Sequence, residues 1–322
     1  MSFDNKCDKL EWRKKKLFSL RRSISIINPL YKWNATLGYL NLTNRITALE
    51  ILVEISDVED ELDNKVEMEN YNLVFCYFDA EPFQNFMIQY ARRHGCVTAT
   101  LQHGIMLAAR KNAEDNPDFA GIEFKSFVSN FFLIWNDFTK NEALKSGINK
   151  DQIKVLGPLK CLDVPRPTFN VQAKTIGVIL DGEFEKDNNI PLISITQNWA
   201  KLNGWKCLFR YHPHFKGTEY QRDIDNNISA VCKKEDPLYQ FIAQISFCVV
   251  ANSTVLFELE YFGIPTIRYS CNNIYDKFRD YDSPSFTNVL ELSDSYAAIK
   301  ECVYENKIDI KTNYKNFFKE YL

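Results

Sequence analysis

Short apolar runs of strand length alternate along this chain with longer segments that end in helix-stop residues, and that alternation admits few folds. YNLVFCYFD at 71–79 has the length and apolar density of a buried strand. AEPFQNFMIQYARRHG follows, with Pro82 in a helical first turn and Gly95 after basic residues, the punctuation of a helix. CVTATLQ is a second strand, closed by His103 and Gly104. A strand, a helix and a strand in that order make a βαβ unit, whose crossover requires a parallel sheet. The order recurs with FFLIWN (131–136), the helix DFTKNEALKSG stopped at Gly147, and the strand QIKVLGP.

After Pro158 the stretch LKCLDVPRPTFNVQAK carries two prolines and no periodicity, which marks a linker. A second series follows: the strand TIGVILDG, the helix IPLISITQNWAKLNG with Gly204 as its stop, and the strand WKCLFRYHP. Then come the short helix DPLYQFIAQ, the strand SFCVVAN, a helix over 254–262 and the strand TIRY. The C-terminal segment is expected to wrap back over the assembly. The chain therefore reads as α/β, with two Rossmann-like domains. They are an N-terminal domain over 1–160, a linker over 161–173 and a C-terminal domain over 174–322.

A length of 322 residues, 45% of them apolar and 14% aromatic, is enough for two packed cores. A net charge of −3 offers no basic footprint for bulk nucleic-acid binding. Nine cysteines are scattered without a CxxC pair, several inside apolar runs, which reads as buried free thiols in a reducing compartment. No apolar run approaches about 18 residues, so the expected location is the cytoplasm, with contact at the inner face of the membrane left open. The basic segment 6–22, with eight Lys or Arg against two acids, suits either anionic lipid or a solvated helix.

In open parallel sheets ligands bind beyond the carboxyl ends of the strands. Three polar groups fall at such places: QHG (102–104), RYHPH (210–214) and NST (252–254). Asn252, Ser253 and Thr254 precede a helix, where N–H groups and hydroxyls can hold an anion or simply cap the helix. Phe257 stands where a capping box needs Glu or Gln. Glu258 lies one turn deeper and can accept hydrogen bonds from a ribose diol or form a salt bridge. Arg210, His212 and His214 follow a strand, and they stand beside that helix terminus if the two strands are neighbours. Pro213 holds His212 extended. His103, with an ordinary pKa near neutrality, suits a general base. Gln102 and Gly104 share its turn, and Asp79 and Glu81 at the neighbouring strand end are the acidic alternatives. No HExxH, DxD or paired Cys/His spacing points to a metal, and GxGxxG and GxxxxGK[ST] are absent.

A His-Pro pair after a strand, then NST, then E…GIPTI, resembles the donor half of GT-B glycosyltransferases. It is particularly similar to bacterial polysialyltransferases and related capsule enzymes. LQHG resembles the histidine-glycine turn of teichoic acid glycerophosphotransferases, and SGINKDQIKVLGPLK is similar to the stretch that closes the N-terminal domain in many GT-B enzymes. The acidic-glycine sequence LDGE at 180–183 stands in the C-terminal half, away from where the sialyltransferase base motif belongs.

The resemblance implies two domains facing a central cleft and an inverting, metal-independent transfer to a bacterial surface glycan or lipid-linked acceptor. The donor would be a UDP-, CMP- or CDP-linked nucleotide sugar, held by Asn252, Ser253, Thr254, Glu258, His212 and His214. His103 would be the base, with Arg210 and His212 on the leaving phosphate. No cofactor is expected, the nucleotide sugar being a substrate. CDP-glycerol or ribitol phosphate transfer, nucleotide-sugar epimerisation, and a non-catalytic place in glycan assembly are the alternatives.

Overall fold

The computed structural model describes residues 57–110, 120–125, 127–165, 173–233, 235–270, 276–300 and 308–321. The basic segment 6–22 lies outside them, as do 166–172 of the expected linker. The chain divides into two compact units, Met1–Met68 and Glu69–Leu322. In the first, a helix over 57–65 is described, with Leu62 buried.

The second unit contains two wholly parallel sheets. The first is built from β1 (Leu73–Cys76), β2 (Val97–Leu101), β3 (Phe131–Ile134) and β4 (Ile153–Val155), adjacent in that order. The second holds β5 (Thr175–Ile179), β6 (Lys206–Arg210), β7 (Ser229–Val231), β8 (Phe247–Val250), β9 (Thr266–Tyr269) and β10 (Ser285–Phe286). Their spatial order is β10-β9-β8-β5-β6-β7, so the winding reverses between β5 and β8. The expected linker falls between β4 and β5.

Among the described residues the helices of this unit are α1 (Pro82–Arg93), α2 (Ile122–Lys125), α3 (Asp137–Lys145), α4 (Asn189–Asn203), α5 (Leu238–Ile242), α6 (Val255–Tyr261), α7 (Val289–Ile299) and α8 (Ile310–Tyr321). Local chemistry accounts for their ends. Glu81 caps α1 by accepting from the Gln84 N–H, with Pro82 at the first position. Asn136 caps α3 in the same way through Thr139. Gly204 closes α4 at φ 68°, a left-handed conformation that costs glycine little.

The two faces of the second sheet follow the two-residue period of its strands. Ile176, Val178 and Leu180 point to α4 and α7, in one core with Leu192, Trp199 and Leu292. Ile179, Cys248 and Val250 point the other way, against Phe241 of α5 and Leu256 and Phe257 of α6. Burying both faces explains why these strands are continuous apolar runs rather than alternating ones. The first sheet is covered on one face by Met106, Phe124 and Ala143. On the other face lie Ile310, Tyr314 and Phe317 of α8, packed on Ala99, Leu101 and Leu133. The C-terminal segment thus does return, specifically onto the first sheet. Six cysteines, Cys76, Cys96, Cys161, Cys207, Cys232 and Cys248, are described, and all are buried and outside any disulfide.

Candidate functional site

All three polar groups stand just beyond strand ends: Gln102 directly after β2, Tyr211 after β6, and Asn252 two residues after β8. β6 and β8 are not neighbours, however, because β5 lies between them. The groups are joined through the residues that follow β5. The Asp181 carboxylate, buried, accepts from the Asn252 backbone N–H at 2.9 and 3.2 Å and from Asn188 Nδ2 at 3.1 Å. Asn189, also buried, holds the Asp181 backbone from both sides, its Oδ1 accepting from the N–H at 2.8 Å and its Nδ2 donating to the carbonyl at 3.1 Å. On the other flank the His212 ring lies on Gly182, where an added Cβ would meet three ring atoms at 3.4 Å. Leu180 to Gly182 therefore tie His212 to Asn252 at the point where the winding reverses, the usual ligand crevice of such sheets.

LDGE, placed by the resemblance away from any base motif, thus belongs to the site, together with Asn188 and Asn189, which the motifs do not include. The signal was available: a strand running into Asp-Gly, then paired asparagines opening a helix. Its meaning depends on β5 lying at the sheet centre, which sequence order does not reveal.

α6 has seven residues and begins at Val255, so its dipole is small and the loop's own donors matter more. Ser253 Oγ accepts from the Val255 N–H at 3.3 Å. Thr254, with φ −60° and ψ −17°, makes no side-chain capping bond. The Asn252 side chain accepts from the Lys277 N–H at 3.0 Å. His212 Nδ1 accepts from the His214 N–H at 3.3 Å, which directs Nε2 away from its own turn. His214 is exposed.

Several expected site residues are already engaged. Arg210 donates to the Asp236 carbonyl at 2.8 Å and lies over the Phe241 ring, on the β7 side. Glu258, buried, pairs with Lys160 Nζ at 2.6 Å. Asp79 is buried and accepts from the Val128 N–H at 3.0 Å, and burial raises its pKa. Glu81 is the α1 cap. Gln102 bridges three neighbours, accepting from the Trp135 N–H at 2.8 Å and donating to the Gly104 carbonyl at 2.8 Å and Thr139 Oγ1 at 3.0 Å. These bonds brace the turn that carries His103.

His103 is exposed and its ring packs on Phe78 with centroids 5.2 Å apart. The protein crowded around the ring disfavours the imidazolium and lowers its pKa, and a hydrogen bond to the Tyr77 backbone opposes this. The same turn leads to Ile105, which packs against the α6 core, and to Arg110, 3.6 Å from Asp280. Trp135 after β3 and Phe138 of α3 contact Phe257 of α6 with centroids 6.3 and 5.9 Å apart. The carboxyl-end loops of the first sheet therefore face the helix that follows NST. Among the described residues no group of three His, Cys, Asp or Glu could hold a metal, and no helix is long and apolar enough to cross a membrane.

The sequence matches no protein-family profile and no curated protein. Solved structures do match. The UDP-GlcNAc 2-epimerase of Methanocaldococcus jannaschii, in complex with UDP-GlcNAc and UDP, superposes with TM-score 0.53 at 14% identity, covering 83% of this chain and 79% of its own. A putative UDP-N-acetylglucosamine 2-epimerase from Listeria monocytogenes gives 0.56 at 9% identity, covering 83% and 80%. The lipopolysaccharide outer core galactosyltransferase WaaB gives 0.48 at 14% identity, covering 86% and 82%. The fold is thus of the GT-B type, with two Rossmann-like halves.

Proposed function

We propose that this chain is a metal-independent inverting glycosyltransferase that uses a nucleotide-activated sugar to extend a bacterial surface glycan. The observation that supports it is the convergence of Gly182, His212 and Asn252–Thr254 around the sheet's reversal point. Three loops there hold N–H and hydroxyl donors and an imidazole in fixed relation, suited to a diphosphate. In this reading Ser253 and Thr254 donate to the phosphates and Glu258 accepts from the ribose. His212 faces the leaving group. Arg210 joins it only by giving up the Asp236 carbonyl.

His103 accepts the proton of the acceptor hydroxyl. The new C–O bond forms at the anomeric carbon as the sugar–phosphate bond breaks, and the nucleotide leaves with the electron pair. Its lowered pKa keeps the imidazole neutral and able to accept a proton at neutral pH.

A second reading is inversion at a sugar carbon without transfer, since epimerases share this fold. Thermal stabilisation by UDP, CDP, CMP and GDP tests the shared premise, and failure of all four would sink both readings. NMR of the products then separates them: a new glycosidic bond with free nucleotide for transfer, an inverted but still nucleotide-linked sugar for epimerisation. Activity should survive EDTA. Loss on chelation, restored by Mg²⁺ or Mn²⁺, would remove metal independence.

A further inference from the structure

We infer that Lys160 is a positioning residue for the nucleotide's ribose: it holds the Glu258 carboxylate aimed so that one oxygen is left for the sugar diol. The inference rests on the reading of Glu258 given above, but its own ground is separate. Lys160 follows β4, in the short turn Leu159–Cys161, and comes from the other half of the chain than Glu258. Its Nζ sits 2.6 Å from Glu258 Oε1 and 4.9 Å from the centroid of the Trp135 ring. The ammonium is thus held from two sides, by a carboxylate and by the face of an indole that carries no charge to compete for it.

Glu258 is the more dependent partner. Its side chain is only 10% exposed against 46% for Lys160. Among the described residues Lys160 is its only ion-pair partner, and no hydrogen bond to its second oxygen, Oε2, occurs. A carboxylate so nearly removed from water depends on a directly paired partner to hold its place. Lys160 meets it at Oε1. That leaves Oε2 as the acceptor, on the α6 face one turn below Thr254. A cation serving only to join the two halves would pair as well with an exposed carboxylate. Here it is paired with Glu258, within the first turn of the helix that follows the NST loop.

The test is calorimetric titration of the full chain with UDP and with 2′-deoxy- and 3′-deoxy-UDP, with CDP and GDP and their deoxy forms in parallel. Wild type should prefer the ribonucleotide by roughly tenfold to a hundredfold, the scale of a hydrogen bond to a charged group. Lys160→Met should bring that preference close to unity, Lys160→Arg should retain most of it, and Glu258→Gln should reduce it. Adding Lys160→Met to Glu258→Gln should change the preference no further, because both act through one carboxylate.

A purely structural role for Lys160 predicts that ribo and deoxy forms weaken together, with the preference intact, and that result overturns the inference while leaving the nucleotide reading standing. If Lys160→Met does not fold, a ribonucleotide preference unchanged in Glu258→Gln overturns it equally. If no nucleotide binds wild type, the nucleotide reading falls and takes this inference with it.

Discussion

His103 is exposed, yet its imidazolium is disfavoured by the protein around it. Its pKa therefore lies below the ordinary value of about 6.5. The sign follows: a base with a lowered pKa stays neutral through neutral pH, so kcat/KM should fall only on the acid side of 6.5. His103→Ala should lower kcat by roughly 10²–10⁴-fold and abolish that acid limb, with donor affinity scarcely changed. A joint fall of donor binding and kcat would make His103 a binding residue. Stability has the same direction, since the unfolded imidazole takes up its proton first as pH drops and the folded state loses ground below 6.5. The hydroxyls of the NST turn give a second residue-scale prediction. Ser253→Ala combined with Thr254→Val should weaken nucleotide binding by about 1–3 kcal/mol. Thr254 makes no capping bond and Ser253 only a long one, so thermal stability should scarcely move. Unchanged affinity in the calorimeter would reduce both to loop residues.

Element ends carry the next level of specification. Gly157 follows β4 at φ 92°, and an added Cβ would stand 2.6 Å from Ile310 Cγ1 and 3.0 Å from Ile308 Cγ2. Tyr314 Oη of α8 also donates to the Gly157 carbonyl at 3.3 Å. Glycine is required here twice over, by a left-handed backbone and by the close approach of α8. Gly157→Ala should destabilise the protein by about 1–3 kcal/mol in urea denaturation, the usual scale of such strain and overpacking. An unchanged midpoint would mean that the α8 segment shifts aside at no cost. The helix boundaries were largely legible beforehand, because Pro82, Gly147 and Gly204 act within a few residues of themselves. The Asp181–Asn252 bond was not, because its partners are 71 positions apart and belong to different strands.

For the molecule as a whole, α8 is the element whose role exceeds its size. It starts beyond the second sheet in sequence but completes the core of the first, with Phe317 edge-on to Phe131 at 5.7 Å and Phe318 to Phe75 at 5.9 Å. Removing residues 309–322 should expose the apolar face formed by Ala99, Leu101 and Leu133. Two results are expected of the truncated chain: a clear drop in melting temperature and aggregation on heating. A truncated chain that melts like the full one would show that α8 is dispensable to the first half.

The amino-acid sequence by itself determined the α/β class, the two strand–helix series and the placing of QHG, RYHPH and NST at strand ends. Those are consequences of local periodicity and punctuation, which act over a turn or a strand. The tertiary structure alone decided that β5 stands between β6 and β8, so that Asp181 and Gly182 join His212 to Asn252. It also decided that Lys160 meets Glu258, and that Asp79, Glu81 and Gln102 are engaged in bracing loops. Each of these depends on the winding order of a sheet or the meeting of two halves, and hydrogen bonds and ion pairs between residues far apart in sequence leave no periodic trace along the chain.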